Sequence, residues 1–154
     1  AAGHGEQAAA NLVAASAWAE KDGSPGARLR VLIARGELEA AQGHADAADA
    51  AYRQALALAD GNRVPADILA VCQSYVPWLI ANRDPARASV VAERVAGWAP
   101  QDYAAALLEL RLYHALGRQP AWRSALAQAR ALAGERVIPA VLLAAPYNRT
   151  TSAP

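Results

Sequence analysis

The chain has 154 residues, of which 55% are hydrophobic, and 15 basic and 14 acidic residues leave a formal net charge of +1. That length suits one domain or a short helical array, and the apolar content can bury a core without metals or disulfides. The near-zero charge excludes the strong basic field that gathers nucleic acid. Alanine dominates the apolar fraction and Phe is absent, which favours closely packed helices over a sheet. The sequence therefore predicts an all-α fold.

The sequence predicts no targeting or membrane-spanning segment within these residues. Residues 1–7 lack the basic start and apolar run of a signal peptide. No uninterrupted apolar stretch reaches the roughly 18 residues that a bilayer crossing needs, so we expect no membrane insertion. Because the chain begins with Ala1 and contains no Met, we expect it to be a piece of a longer translation product. The single cysteine, Cys72, is expected to be a buried core thiol, and the compartment stays open between cytoplasm and periplasm.

The first part of the chain predicts three helices. Apolar residues at helical spacing indicate a leading helix over about 7–21, which the turn-forming residues 22–26 end. A second helix is predicted over about 27–42, and Gly43 ends it as a left-handed C-cap. A third follows over about 45–59.

The middle of the chain predicts one connector and two more helices. Residues 60–65 form the longest expected connector, a loop inserted between helix pairs. A helix over about 66–81 contains Pro77, which removes a backbone hydrogen bond and predicts a kink. Asp84 and Pro85 then form an N-cap followed by proline at the first helical position, and this helix should end near residue 97.

The last part predicts two helices and a closing segment. Pro100 is expected to open a helix that stops at Gly117, and Pro120 a helix that lasts to about residue 133. Residues 137–145 are a short apolar segment, interpreted as a last helix that covers the end of the array. Residues 146–154 hold little that can be buried and are predicted to be a disordered tail.

Three segments repeat one spacing of small and bulky residues. Members of each set stand five, four and three positions apart: Gly43, Ala48, Tyr52 and Ala55; Arg83, Ala88, Ala92 and Val95; Gly117, Trp122, Leu126 and Ala129. The offset is 40 residues from Ala48 to Ala88 and 34 from Ala88 to Trp122. Such periodicity is typical of stacked helical hairpins, with six extra residues in the first interval.

The first unit, residues 29–62, resembles a tetratricopeptide repeat. The residues at that family's spacings are Leu32, Gly36, Gly43, Ala48, Tyr52 and Ala55. The second unit, residues 69–102, has Val76 where the first has Gly36, and the third unit, residues 103–136, exchanges a large and a small residue at Trp122 and Leu126. The three units therefore resemble a degenerate array of such repeats, in which the second and third units match the family's spacing only in part.

The resemblance implies a right-handed α-solenoid within a single domain over residues 1–145. It would contain about three hairpins, a leading helix and a C-terminal capping segment, and the first helix of each hairpin would line a concave groove for an extended peptide or partner segment. Ser74 falls at one groove position. The residues expected to contact a partner are Arg30, Glu37, Gln73, Trp78, Arg111 and His114. The Lys and Asn set with which some family members clamp a peptide carboxylate is missing, so chaperone-tail recognition is not expected.

No constellation predicts catalysis, a cofactor or a metal site. The three histidines, at positions 4, 44 and 114, do not stand one helical turn apart, and a metal site needs three or four convergent ligands. Arg111 and His114 are one turn apart and could offer donors to an anion, although an ordinary polar helix face is the simpler interpretation. Glu109 has no acidic neighbour that would suggest a catalytic pair. The four tryptophans are interpreted mainly as packing between helices.

Two functions remain open at this point. The first is a non-catalytic helical-repeat scaffold, part of a larger protein, that binds a partner protein or an extended peptide. The alternative is a ligand-responsive regulatory domain attached to a DNA-binding or kinase domain, because similar arrays follow such domains in bacterial regulators. An enclosed apolar pocket with a few polar groups would favour the second function, and an open channel the first.

Overall fold

The computed structural model describes residues 2–146, together with the side chains from residue 5 onward, so His4 and residues 147–154 of the predicted tail lie outside the description. The described residues form helices and no strand, which confirms the all-α prediction. The helices are α1 (Ala2–Asp22), α2 (Pro25–Ala41), α3 (Ala45–Asn62), α4 (Pro65–Ala81), α5 (Pro85–Ala96), α6 (Tyr103–Ala115), α7 (Gln119–Ala133) and α8 (Ala140–Leu143).

The predicted loop over residues 60–65 is wrong, because α3 continues to Asn62 and α4 already begins at Pro65. Arg63 ends α3 in the left-handed conformation, with φ of 56°, and its N–H donates to the Ala59 carbonyl at 3.1 Å. The extra residues of the first interval therefore lengthen helices instead of forming a loop.

The start of α6 also differs from the prediction. Pro100 does not open this helix but lies in the preceding turn, and Asp102 is the N-cap. Its Oδ1 accepts from the Ala105 N–H at 2.9 Å, which satisfies one of the free donors of the first turn. The helix predicted around Pro77 has the expected end, because α4 continues through this proline and ends at Ala81.

The turns after α2, α4 and α6 share one hydrogen-bond pattern. Each contains a residue with positive φ: Gly43 at 80°, Arg83 at 60° and Gly117 at 69°. The N–H of the next residue donates to the carbonyl five positions earlier, at 2.9 Å from His44 to Glu39, 2.9 Å from Asp84 to Leu79 and 3.0 Å from Arg118 to Tyr113. This is the Schellman ending of a helix. Three helices of the chain therefore end in the same way at the repeat positions.

The chain divides into two compact units, Ala1–Ser74 and Tyr75–Pro154. In the first unit α1 packs on α2, and α2 on α3. In the second unit α6 packs against α5, α7 and α8. The single domain expected over residues 1–145 stays a prediction.

Small residues of the repeat are buried in both units. Ala48 and Ala55 in the first unit, and Ala88 and Ala129 in the second, are completely inaccessible to solvent. Larger side chains stand one turn away: Tyr52 is 2% and Leu126 6% exposed. Alanines of this kind let the backbones of neighbouring helices come close.

The closing segment of the second unit packs on α6 and α7. Trp122 Nε1 on α7 donates to the Leu142 carbonyl at 3.0 Å, and the Tyr103 hydroxyl on α6 donates to the Val137 carbonyl at 3.3 Å. Ile138 and Leu142 are buried there. The predicted short last helix is therefore present, as α8.

The tryptophans do not all pack between helices. Trp122 is buried, but Trp18 on α1 is 59% exposed, so the packing interpretation is wrong for that residue. Trp78 and Trp98 are partly exposed. The apolar residues of α1 are spread around the helix, and among its side chains from residue 5 onward only Ala19 is fully buried.

Candidate functional site

Three of the predicted partner-binding residues, Arg30, Glu37 and Gln73, lie in the first unit and are exposed. Glu37 Oε1 on α2 accepts a hydrogen bond from Ser74 Oγ on α4 at 2.7 Å. This contact joins two positions that the sequence assigns to the groove. It brings one residue of α2 and one of α4 into direct contact within the first unit.

Tyr52 on α3 is buried, and the charge of Glu37 acts on its hydroxyl. Burial raises the pKa of its hydroxyl to about 12, and the negative charge of Glu37 contributes to the shift. Both effects disfavour the phenolate, since an anion loses hydration and meets a second negative charge. Glu37 therefore takes part in two interactions: it accepts a hydrogen bond from Ser74, and its charge disfavours ionisation of the buried Tyr52.

Trp78 lies in the second unit on α4 and stacks on Tyr75. Their ring centroids are 6.0 Å apart and the ring planes are inclined by 29°. Arg87 of α5 donates to the Tyr75 hydroxyl, and its guanidinium lies 5.9 Å from the centre of the Tyr75 ring. The partly exposed Trp78 therefore stands on a fixed aromatic base and can present a flat apolar surface.

Arg111 and His114 lie one turn apart on α6, and both are partly exposed. Neither forms a hydrogen bond or ion pair with another residue in the described part of the chain. Their side chains are thus available to an external group. The predicted anion site at this pair stays a prediction.

Two adjoining cavities lie on another side of α6, between α5, α6 and α7 of the second unit. The smaller, about 100 Å³, is bordered by Glu93, Glu109, Tyr113 and Arg118 among others. The larger, about 410 Å³, is bordered by Glu109 and Tyr113 again, by small residues of α5 and α7, and by Pro100 and Gln128. Successive residues of an α-helix turn by about 100°. Glu109 and Arg111 therefore lie on nearly opposite sides of α6.

Glu109 and Tyr113 border both cavities and influence each other. Burial raises the pKa of the Glu109 carboxyl. Burial also raises the pKa of Tyr113, the Glu109 charge adds to that shift, and Arg118 opposes it. Within the described residues neither side chain has a hydrogen-bond partner. Two polar groups therefore face the cavities with unused hydrogen-bonding capacity.

This site was not predicted from the sequence, because Glu109 has no second carboxylate nearby that would indicate a catalytic pair. A different pattern could have indicated it. Glu109 stands between Leu108 and Leu110, which are both buried, and Tyr113 follows one turn later. A carboxylate and a phenol on the same face of an apolar helix predict a partly buried polar pair.

The other functional classes receive no support from side-chain clusters. Across residues 2–146, no three His, Cys, Asp or Glu side chains come together as a group that could hold a metal ion. None of the helices described has both the length and the apolar character needed to cross a bilayer. Comparison of the chain with protein-family models, with curated proteins and with solved structures finds no match.

Proposed function

We propose that the chain is a non-catalytic helical-repeat interaction domain that binds a partner protein or an extended peptide. In this proposal the hairpins stack into a right-handed tetratricopeptide-like solenoid, and the first helices α2, α4 and α6 line its concave groove. The six residues that would contact the partner are Arg30, Glu37, Gln73, Trp78, Arg111 and His114.

The hydrogen bond between Ser74 and Glu37 is the observation that carries this proposal. Adjacent first helices are what a groove of this kind requires, and here the 2.7 Å contact joins α2 to α4 through groove positions. The three identical turns give further support, because a stack of hairpins needs the same reversal of direction in each unit.

The chemistry of the six residues suits a polar, extended partner. Arg30, Arg111 and His114 can donate hydrogen bonds, Glu37 accepts them, and Gln73 does both. Trp78 adds a large aromatic surface of the kind that anchors a partner side chain. A peptide that alternates acidic and apolar side chains fits this combination best.

The proposal is tested by selecting binding peptides from a random displayed library and measuring their affinity by calorimetry. A groove variant combines Arg111→Ala with His114→Ala. A matched control combines Arg123→Ala with Arg130→Ala, two exposed residues on the second helix α7. We expect the groove variant to weaken binding by about tenfold or more, since hydrogen bonds from charged donors are lost, and the control to bind as the parent does.

Two results would contradict the proposal. One is equal loss of affinity in the groove variant and the α7 control, which would indicate a general charge effect. The other is a set of peptide-induced amide shifts confined to α3, α5 and α7, since these second helices would then carry the binding surface. Circular dichroism of both variants checks that the helices are retained.

A second candidate function, the ligand-responsive regulatory domain, is favoured by one observation. The cavities between α5, α6 and α7 combine small apolar residues with a few polar groups, as small-molecule sites do, but they are partly open and are not the enclosed pocket that would favour this function most. Ligand binding there would alter the packing of α5 or α7 on α6, which an attached effector domain could detect.

A further inference from the structure

The larger cavity of the second unit has walls made of small side chains. Ala96 and Ala99 border it from the end of α5 and the turn that follows, and Ala121 and Ala125 from α7. The space measures about 410 Å³, and each of these four positions contributes only a methyl group to its wall. The alanines accept a flat ring or a short hydrocarbon chain, and Ser124 and Gln128, which also border the space, add polar atoms.

Glu109 is the charged group that borders this space. Its carboxylate is partly buried and has no donor within the described residues. A ligand that supplies a charged N–H group would form a charge-assisted hydrogen bond with this partly desolvated carboxylate. The Tyr113 hydroxyl, one turn away, adds a second hydrogen-bonding atom at the same place.

The charges around the cavities favour a positive ligand. Glu93 and Arg118 carry opposite charges and border the smaller cavity, where Glu109 adds a further negative charge. Arg118 borders only the smaller cavity, whereas Glu109 borders both. A cation in the larger cavity would therefore meet a carboxylate directly and would stay clear of the guanidinium.

We propose that the cavity between α5, α6 and α7 binds a small organic cation, whose ammonium group pairs with Glu109 and whose compact apolar body lies against the alanines of α5 and α7. This goes beyond partner binding on the first helices and does not depend on it. It gives the second candidate function the chemical class of its ligand. Because the test measures ligand binding alone, its failure would leave the partner-binding proposal untouched.

The test compares three probes that share one aromatic body and differ in charge. They are 2-phenylethylamine, which is a cation, 2-phenylethanol, which is neutral, and 3-phenylpropionate, which is an anion. Binding to the full chain is followed by amide chemical shifts at neutral pH. We expect the amine to bind with shifts centred on α6 and α7, and the alcohol to bind about tenfold more weakly because it lacks the charge-assisted hydrogen bond.

Two pairs of variants locate the site. Glu109→Gln keeps the shape of the side chain but removes its charge, and it should weaken amine binding about tenfold while leaving the alcohol unchanged. Its matched control is Glu93→Gln, which should have little effect. Ala121→Leu fills the larger cavity and should abolish binding of both probes, whereas Ala127→Leu, at an exposed position of the same helix, should not.

Three outcomes would overturn the proposal. The amine could fail to bind at any concentration that the protein tolerates, or it could bind Glu109→Gln as well as the parent chain. The anionic probe could also bind more tightly than the amine, which would assign the site to Arg118. The Ala127→Leu control keeps the test interpretable, because general loss of folding in α7 variants would affect it as well.

Discussion

The ring of Tyr52 occupies the space that a side chain at Gly36 would fill. A β-carbon at Gly36 would lie 2.7 Å from Tyr52 Cε1 and 2.9 Å from Tyr52 Cζ. Tyr52 is only 2% exposed, so its ring has little freedom to move away. The glycine of α2 and the aromatic ring of α3 are therefore complementary, and together they set how closely this hairpin closes.

The first prediction concerns this contact. Gly36→Ala should lower the free energy of unfolding, because the added methyl group overlaps the Tyr52 ring in a packed interior. The overlap by itself costs about 1–3 kcal/mol. The better helix propensity of alanine, worth about 1 kcal/mol, acts in the opposite direction and reduces the net effect. Urea denaturation followed by circular dichroism measures the change.

Gly61→Ala is the matched control. Gly61 is helical like Gly36, but nothing lies within 4 Å of a β-carbon at this position. The substitution should therefore raise stability by about 0.5–1 kcal/mol through helix propensity alone. If Gly36→Ala also stabilises the chain, the close fit of Gly36 and Tyr52 is not real.

The second prediction concerns pH. The pKa of Tyr52 is raised to about 12 in the folded chain, first by burial and then by Glu37. An unfolded tyrosine titrates near 10, so above that pH the unfolded state loses its proton more readily than the folded state does. The contribution of Tyr52 to stability is complete below about pH 10 and is lost as the pH rises towards about 12.

Stability measured by urea denaturation at several pH values tests this titration. Tyr52→Phe removes the ionisable group and should flatten the decline above pH 10. Glu37→Gln should weaken the decline only slightly, because burial is the larger cause of the shift. A decline of the same steepness in Tyr52→Phe and in the parent chain would assign it to other groups.

Much of the local structure could be predicted from the sequence, because it depends on residues close together in the chain. Gly43 and Gly117 indicated two helix endings through their freedom at positive φ, and Asp84 with Pro85 indicated the start of α5. The apolar spacing of five, four and three positions indicated the buried face of the second helices. These features are set by one or two turns of backbone, for which sequence patterns are most informative.

The connector after α3 shows where local patterns stop being sufficient. Asp60, Gly61 and Asn62 have turn propensity, yet all three are helical. The helix continues through them until Arg63 takes the left-handed conformation. Propensities of this size, about 1 kcal/mol per residue, are easily exceeded by the bonds and packing of an already formed helix.

The cavity beside Glu109 was beyond prediction for a different reason. Its walls come from α5, α6 and α7, and its volume depends on how these three helices are spaced. A pattern within one helix shows that Glu109 and Tyr113 share a face, but it does not show whether a neighbouring helix fills the space above them. Five of the six predicted partner-binding residues, by contrast, came from family positions, and Trp78 came from its place beside Pro77; all six remain to be tested.

The third prediction concerns Arg83. It occupies the position of Gly43 and Gly117 in the three equivalent turns, with φ of 60°. A left-handed conformation costs a non-glycine residue about 1–2 kcal/mol, and the greater freedom of unfolded glycine offsets part of the gain. Arg83→Gly should therefore stabilise the chain by up to about 1 kcal/mol, measured as a rise in the denaturation midpoint.

The reverse substitution at the first turn serves as the control. Gly43→Arg introduces the strain that Arg83 carries, at a φ of 80° with open space around the β-carbon. It should lower stability by about 1 kcal/mol, because strain and not a clash is the cause. If both substitutions destabilise the chain, Arg83 makes a favourable contact that outweighs its backbone conformation.

The last prediction concerns the closing segment of the second unit. The indole N–H of Trp122 is the donor to the buried Leu142 carbonyl, at 3.0 Å. Trp122→Phe retains most of the apolar ring but removes this donor, which leaves a buried acceptor unsatisfied at a cost of about 1–3 kcal/mol. Hydrogen exchange should therefore accelerate most in residues 138–146, where few other bonds hold the chain, and little in α5. Trp18→Phe, at a side chain that is 59% exposed, should change neither exchange nor stability. Uniformly faster exchange across α5, α6 and α7 in Trp122→Phe would instead mean that the indole stabilises the whole unit and that the closing segment does not open by itself.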